Sequence, residues 1–130
     1  MQPRFLSASE AHLQAMSLPI AEVVRLLEGL LDATTIAVIG GVNETRIVHS
    51  WLRGHAPNRP QVLRFTLQLA TMIVSAHDKE ICSAWFHGSN PHLDDRVPMI
   101  MLRELPLAET QHDLIAAARL FASRDGSRWR

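Results

Sequence analysis

Apolar residues recur along this chain at steps of three and four, the period of a helix with one buried face. After Pro19, Ile20, Val23, Val24, Leu27, Leu30 and Leu31 form one such stripe. Earlier, Ser7 and Glu10 spell S-x-x-E, a capping box that predicts a short helix over 8–16. Pro60 can open a long helix over 60–76, because a first-turn residue needs no N–H. That helix carries two apolar stripes, Leu63, Leu67, Ala70, Ile73, Val74 and Val62, Phe65, Leu69, Met72. Only Gln61, Arg64, Gln68, Thr71 and Ser75 remain as a polar strip. A helix apolar over most of its girth must be covered on several sides. It reads either as a central helix that touches both halves of the chain and a second subunit, or as the well-covered core of a monomer.

Further helices follow over 78–86, from Pro98 to just before Pro106, and from Leu107 to near Gly126. The last places Leu107, Gln111, Leu114, Ile115, Ala118, Phe121 and Ala122 on one face. No stretch alternates with period two, so the predicted fold is all-α. Pro57-Asn58-Arg59-Pro60 is a breaker cluster and reads as a short linker. The chain then divides into an extension at 1–17, a first helical lobe at 18–59, a second at 60–126 and a tail at 127–130.

The stretch TTIAVIGGVNETRIVHSWLRG, at 34–54, is ambiguous at first sight. IAVIGG resembles a buried strand running into a phosphate loop, yet neither G-x-G-x-x-G nor G-x-x-x-x-G-K-[ST] occurs. Read as a helix, a turn and a second helix from Glu44, it separates cleanly into two sides. Ile47, Val48, Trp51 and Leu52 face inward, and Arg46, His49, Ser50 and Arg53 face outward at i, i+3, i+4 and i+7. A helix that reads a DNA groove needs this division. Asn43, Thr45, Arg46, His49, Ser50 and Arg53 are the candidate DNA-contacting residues. An ordinary solvated helix face has the same pattern. Between 45 and 64 lie Arg46, Arg53, Arg59 and Arg64 with no acid, a basic segment where a DNA backbone would run.

Composition bounds the picture. With 130 residues, 47% of them apolar, the chain suits one compact domain or two small lobes that share a core. Formal net charge is zero, which argues against a strongly basic coat but not against a local patch. Cys82 is the single cysteine and cannot close an internal disulfide. No segment reaches the ~18 apolar residues of a membrane span, and the first residues lack the apolar core of a signal peptide. A cytoplasmic protein without a membrane partner is expected. His77, Cys82, His87 and His92 recur every five residues, but five helical steps turn about 140°, so these groups do not share a face. With no metal site, no cofactor and no nucleophile–base pair indicated, catalysis is not expected.

The second half carries a more specific signal. AWFHGSNPHLDDRVPMIMLRE, at 84–104, resembles the toxin-binding domain of the Xre/MbcA/ParS antitoxins. In that domain an aromatic pair, an Asn-Pro, a leucine, a polar turn, a proline and a leucine-bearing helix succeed one another. Trp85-Phe86, Asn90-Pro91, Leu93, Asp94-Asp95-Arg96, Pro98 and Leu102 hold those places here. The order of parts is also similar, an Xre-type helix-turn-helix followed by this domain, and the likeness covers about 18–126. Asp94-Asp95 depart from the pattern by replacing glycines common in the turn. The resemblance implies an all-α antitoxin of a type II toxin–antitoxin pair, with a DNA-binding lobe packed on a toxin-binding and dimerisation lobe. It would block the active site of a RES-domain toxin, an NAD-degrading enzyme, and repress its own operon as a homodimer on promoter DNA. A stand-alone helix-turn-helix regulator without a toxin is the alternative.

Trp85 and Phe86 read as core, Asn90 as a cap near Pro91, and Asp94 or Asp95 as a cap for the following turn. Toxin contact is expected instead from the tail SRDGSRWR, through Arg124, Asp125, Arg128, Trp129 and Arg130. A tryptophan among arginines suits an interface anchor, and a frayed terminus is equally compatible.

Overall fold

A computed structural model describes residues 7–123. Among them the fold is all-α, and no helix is long and apolar enough to cross a membrane. The helices are α1 (Ala8–Ser17), α2 (Ile20–Glu28), α3 (Ala33–Gly40), α4 (Thr45–Leu52), α5 (Pro60–Val74), α6 (Lys79–His87), α7 (Pro98–Glu104) and α8 (Leu107–Ser123). A short 3-10 turn, Pro91–Leu93, precedes α7.

Local chemistry sets the helix starts. In α1 the capping box forms in both directions: the Glu10 N–H donates to Ser7 Oγ at 3.1 Å, and the Ser7 N–H donates to Glu10 Oε1 at 2.9 Å. Asp32 caps α3 by accepting the Thr35 N–H at 2.8 Å, and Asp78 caps α6 by accepting the Ile81 N–H at 2.9 Å. The proline openings of α5 and α7 fall at Pro60 and Pro98.

The long helix α5 is the axis. Helices α1, α2, α3, α6 and α8 all pack against it, and Leu63, Leu67, Leu69, Ala70, Met72 and Ile73 are almost wholly buried. Its apolar girth is therefore covered by its own chain, which removes the reason for placing a second subunit on this helix. Even its polar strip is partly enclosed, because α1 lies over it. Ala11 and Ala15, small and fully buried, let the two helices approach closely. Arg64 donates to the carbonyls of Ala15 at 2.9 Å and Leu18 at 2.6 Å, capping the end of α1. Gln68, 3% exposed, meets His12 Nδ1 at 3.1 Å and donates to the Ala8 carbonyl at 3.4 Å. A buried polar group is tolerated when its donors and acceptors are met. Residues on both sides of the 57–60 linker contribute to one continuous core.

Candidate nucleic-acid interface

The ambiguous stretch is two helices and a turn. IAVIGG closes α3 and is not a strand. Its two glycines have separate tasks. A Cβ on Gly40 would stand 2.7 Å from the Trp51 ring, so only glycine lets that indole come so close to α3. Gly41 takes φ of 80°, the left-handed conformation that ends a helix without penalty for glycine. The chain then turns through Val42–Glu44 into α4, whose buried residues are Val48 and Trp51.

This packing fixes the outer face of α4. Asn43, Thr45, Arg46, His49 and Arg53 are exposed and Ser50 is half-buried. All six candidate DNA-contacting residues thus lie on or beside one surface. Its charge is less positive than the sequence suggests. Glu44 immediately precedes the segment that lacks acids, and its Oε1 accepts from Arg46 Nε at 2.5 Å, holding the guanidinium above its ordinary pKa. Glu28, reaching over from α2, brings Oε2 to 3.4 Å from His49 Nε2, an ion pair only when the imidazole is protonated. That approach is not aligned as a hydrogen bond, and Glu28 Oε2 finds no hydrogen-bond partner among the described residues. These two acids are the contributors that sequence reasoning missed. Glu44 was visible one residue upstream, whereas Glu28 has no local signal.

The expected basic segment is divided. Arg46 and Arg53 point outward, but Arg59 and Arg64 are turned into the protein. Arg59 donates from Nη1 to the Ile39 and Arg103 carbonyls, each at 3.1 Å, and from Nη2 to the Leu102 carbonyl at 3.0 Å. The physical reason is that α3 and α7 both end here, and their last carbonyls need donors. Arg103, from α7, adds to the same cluster by donating to the Val38 carbonyl at 2.9 Å. A shallow hollow of about 540 Å³ opens beside it, lined by Thr34, Val38, Asn43, Thr45 and Arg103 among others.

The residues of the second-half signature are mostly structural. Phe86 is fully buried and Trp85 is 7% exposed, their rings edge to face with centroids 5.1 Å apart. The Trp85 indole N–H has no hydrogen-bond partner among the described residues. Asn90 Oδ1 accepts the His92 N–H at 2.9 Å and so caps the 3-10 turn that contains Pro91, itself exposed. Leu93, Pro98 and Leu102 are buried. Asp94 and Asp95 do not cap α7, whose capping position is Val97 without a side-chain bond. Both aspartates instead adopt positive φ, 57° and 63°. Glycine occupies such positions freely and aspartate with little strain, which explains why one can stand for the other in this turn.

Elsewhere the histidine–cysteine series is dispersed. His77 Nε2 lies 3.1 Å from the Phe121 carbonyl, and His87 Nε2 lies 2.9 Å from Thr35 Oγ1. Burial pushes the Cys82 thiol up to about 12. No group of three or more metal-ligating side chains occurs among the described residues. The tail residues Arg124, Asp125, Arg128, Trp129 and Arg130 lie outside the described residues. Comparison of the chain with protein-family models, with curated proteins and with solved structures finds no match.

Proposed function

We propose that this protein is a binding protein and not an enzyme, an antitoxin that represses its own operon by placing α4 against promoter DNA. The observation that carries the DNA half is the outer face of α4, where Asn43, Thr45, Arg46, His49 and Arg53 are exposed together over a buried Val48–Trp51 side. Phosphate would replace Glu44 as the partner of Arg46, a change from one charge-assisted bond to another. The toxin half is supported by the resemblance of 84–104 to the toxin-binding domain of the Xre/MbcA/ParS antitoxins, with a RES-domain NAD-degrading enzyme as partner. Binding as a homodimer in the cytoplasm belongs to the same reading.

The test has two arms. A mobility-shift titration with the protein's own promoter should show binding that weakens steeply as salt rises, because phosphate contacts release counterions. Absence of binding at low salt overturns the DNA half. Co-expression with a RES-domain toxin encoded beside it should keep cellular NAD⁺ high, and a collapse of NAD⁺ despite co-expression overturns the antitoxin half.

A further inference from the structure

Arg103 belongs to α7 but spends its donors on the other half of the chain. Nη1 donates to the Val38 carbonyl at 2.9 Å and to the Val42 carbonyl at 3.5 Å. Nη2 donates to Asn43 Oδ1 at 3.4 Å, and Nε stands 3.7 Å from Glu104 Oε2. The first two acceptors belong to the last turn of α3 and the residue after Gly41. The third is an exposed side chain at the approach to α4. A planar guanidinium holds its donors on separate nitrogens in a rigid fork, whereas a lysine ammonium gathers three donors on one mobile point. The backbone carbonyl of Arg103 is in turn held by Arg59 Nη1 at 3.1 Å. The side chain that touches Asn43 is therefore anchored to a helix whose own end is fixed.

Capping a helix end requires only the carbonyl contacts. The bond to Asn43 adds nothing to the core, because both groups meet at the surface beside the hollow that Thr34, Val38 and Thr45 also line. Its physical effect is to select one direction for an amide that would otherwise sample several rotamers. We infer that Arg103 is a positioning residue for the DNA-contacting turn, fixing the Asn43 side chain and the start of α4 according to where α7 lies. This rests on the DNA-binding reading. It adds that whatever displaces α7 alters the face offered to DNA, and by linkage DNA on α4 resists that displacement.

The experiment uses the full chain and the variants Arg103→Met, Arg103→Lys, Asn43→Ala and the Arg103→Met/Asn43→Ala double. In the free protein, the proton–nitrogen signals of the Asn43 side-chain amide and of the backbone at 41–45 should move in Arg103→Met, while those of α1 stay in place. Promoter affinity should fall roughly tenfold in Arg103→Met and in Asn43→Ala, with the double variant no weaker than the worse single, since coupled neighbours are non-additive. Arg103→Lys should lie between wild type and Arg103→Met; if Arg103→Met does not fold, Arg103→Lys with Asn43→Ala completes the same cycle. Unmoved signals overturn the inference whatever the DNA result, and so do additive losses of affinity. If the wild type binds no DNA, the proposed function fails, and the signals of the free protein still decide whether Arg103 holds the turn.

Discussion

The outer face of α4 and the junction between the ends of α3 and α7 each present two arginines, yet the two regions put them to opposite use. On α4 and just past its end, Arg46 and Arg53 stand in solvent, Arg46 paired with Glu44. At the junction, Arg59 and Arg103 are half-buried and give their donors to the carbonyls of Val38, Ile39 and Leu102. The difference follows from what each helix end lacks. Final carbonyls have no intrahelical donor and carry the negative end of the helix dipole, so a guanidinium placed near them is bound internally. Arg46 lies in the first turn of α4, which presents N–H groups. Beside Arg53 the Ser50 and Trp51 carbonyls already accept from the N–H groups of Arg53, Gly54 and His55, so both arginines are left for an external anion. Charge along a sequence is thus a poor guide to an interface until the helix ends are located.

Breaking the inward set should have the largest effect on stability. Arg59→Ala removes donors from three carbonyls and from the tie between the two halves of the chain. It should cost about 3 kcal/mol in a urea unfolding titration, given that bonds to charged groups contribute roughly 1.5–3 kcal/mol each. Arg46→Ala should leave the urea midpoint unchanged, because its guanidinium supports no buried group. Equal losses for the two variants would erase the distinction drawn here.

Gly40→Ala comes next. The new methyl would meet the Trp51 ring at 2.7 Å and push α4 away from α3. A loss of about 2 kcal/mol is expected, within the usual range for overpacking. A Gly40→Ala variant as stable as wild type would show that α4 is not seated against α3 as described.

The smallest stability effect concerns the other end of α3. The Thr35 hydroxyl and N–H bonds hold Asp32 below the usual carboxylate range, so this cap stabilises the fold above that range and is lost as pH falls through the lowered value. Asp32→Ala should cost about 1 kcal/mol at neutral pH. That difference from wild type should shrink in acid as Asp32 protonates, measured by denaturant midpoints across the acid range. A difference independent of pH would assign the loss to something other than the charged cap.

Much of the fold was legible in the sequence because it depends on local rules. The S-x-x-E box, the stripe from Ile20 to Leu31 and the proline openings of α5 and α7 each act within a turn or two. The facing of α4 was legible too, since Val48 and Trp51 define its buried side. The roles of Arg59, Arg64 and Glu28 were not. Their partners lie at least twenty residues away in the chain, and no periodicity announces a carbonyl across a helix junction. The polar strip on α5 misled for the same reason: Gln68 meets α1 rather than water.

The central claim is that the outer face of α4 contacts duplex DNA while the junction arginines only support it. Its most direct measurement is promoter affinity at fixed salt for Arg46→Ala/Arg53→Ala and for Glu44→Gln, each checked for an unchanged urea midpoint. Losing two phosphate contacts should weaken binding at least tenfold and lower the salt slope by about 2. Freeing Arg46 from its carboxylate partner in Glu44→Gln should tighten binding. Unchanged affinity in both variants would contradict the assignment of α4 as the DNA-contacting helix.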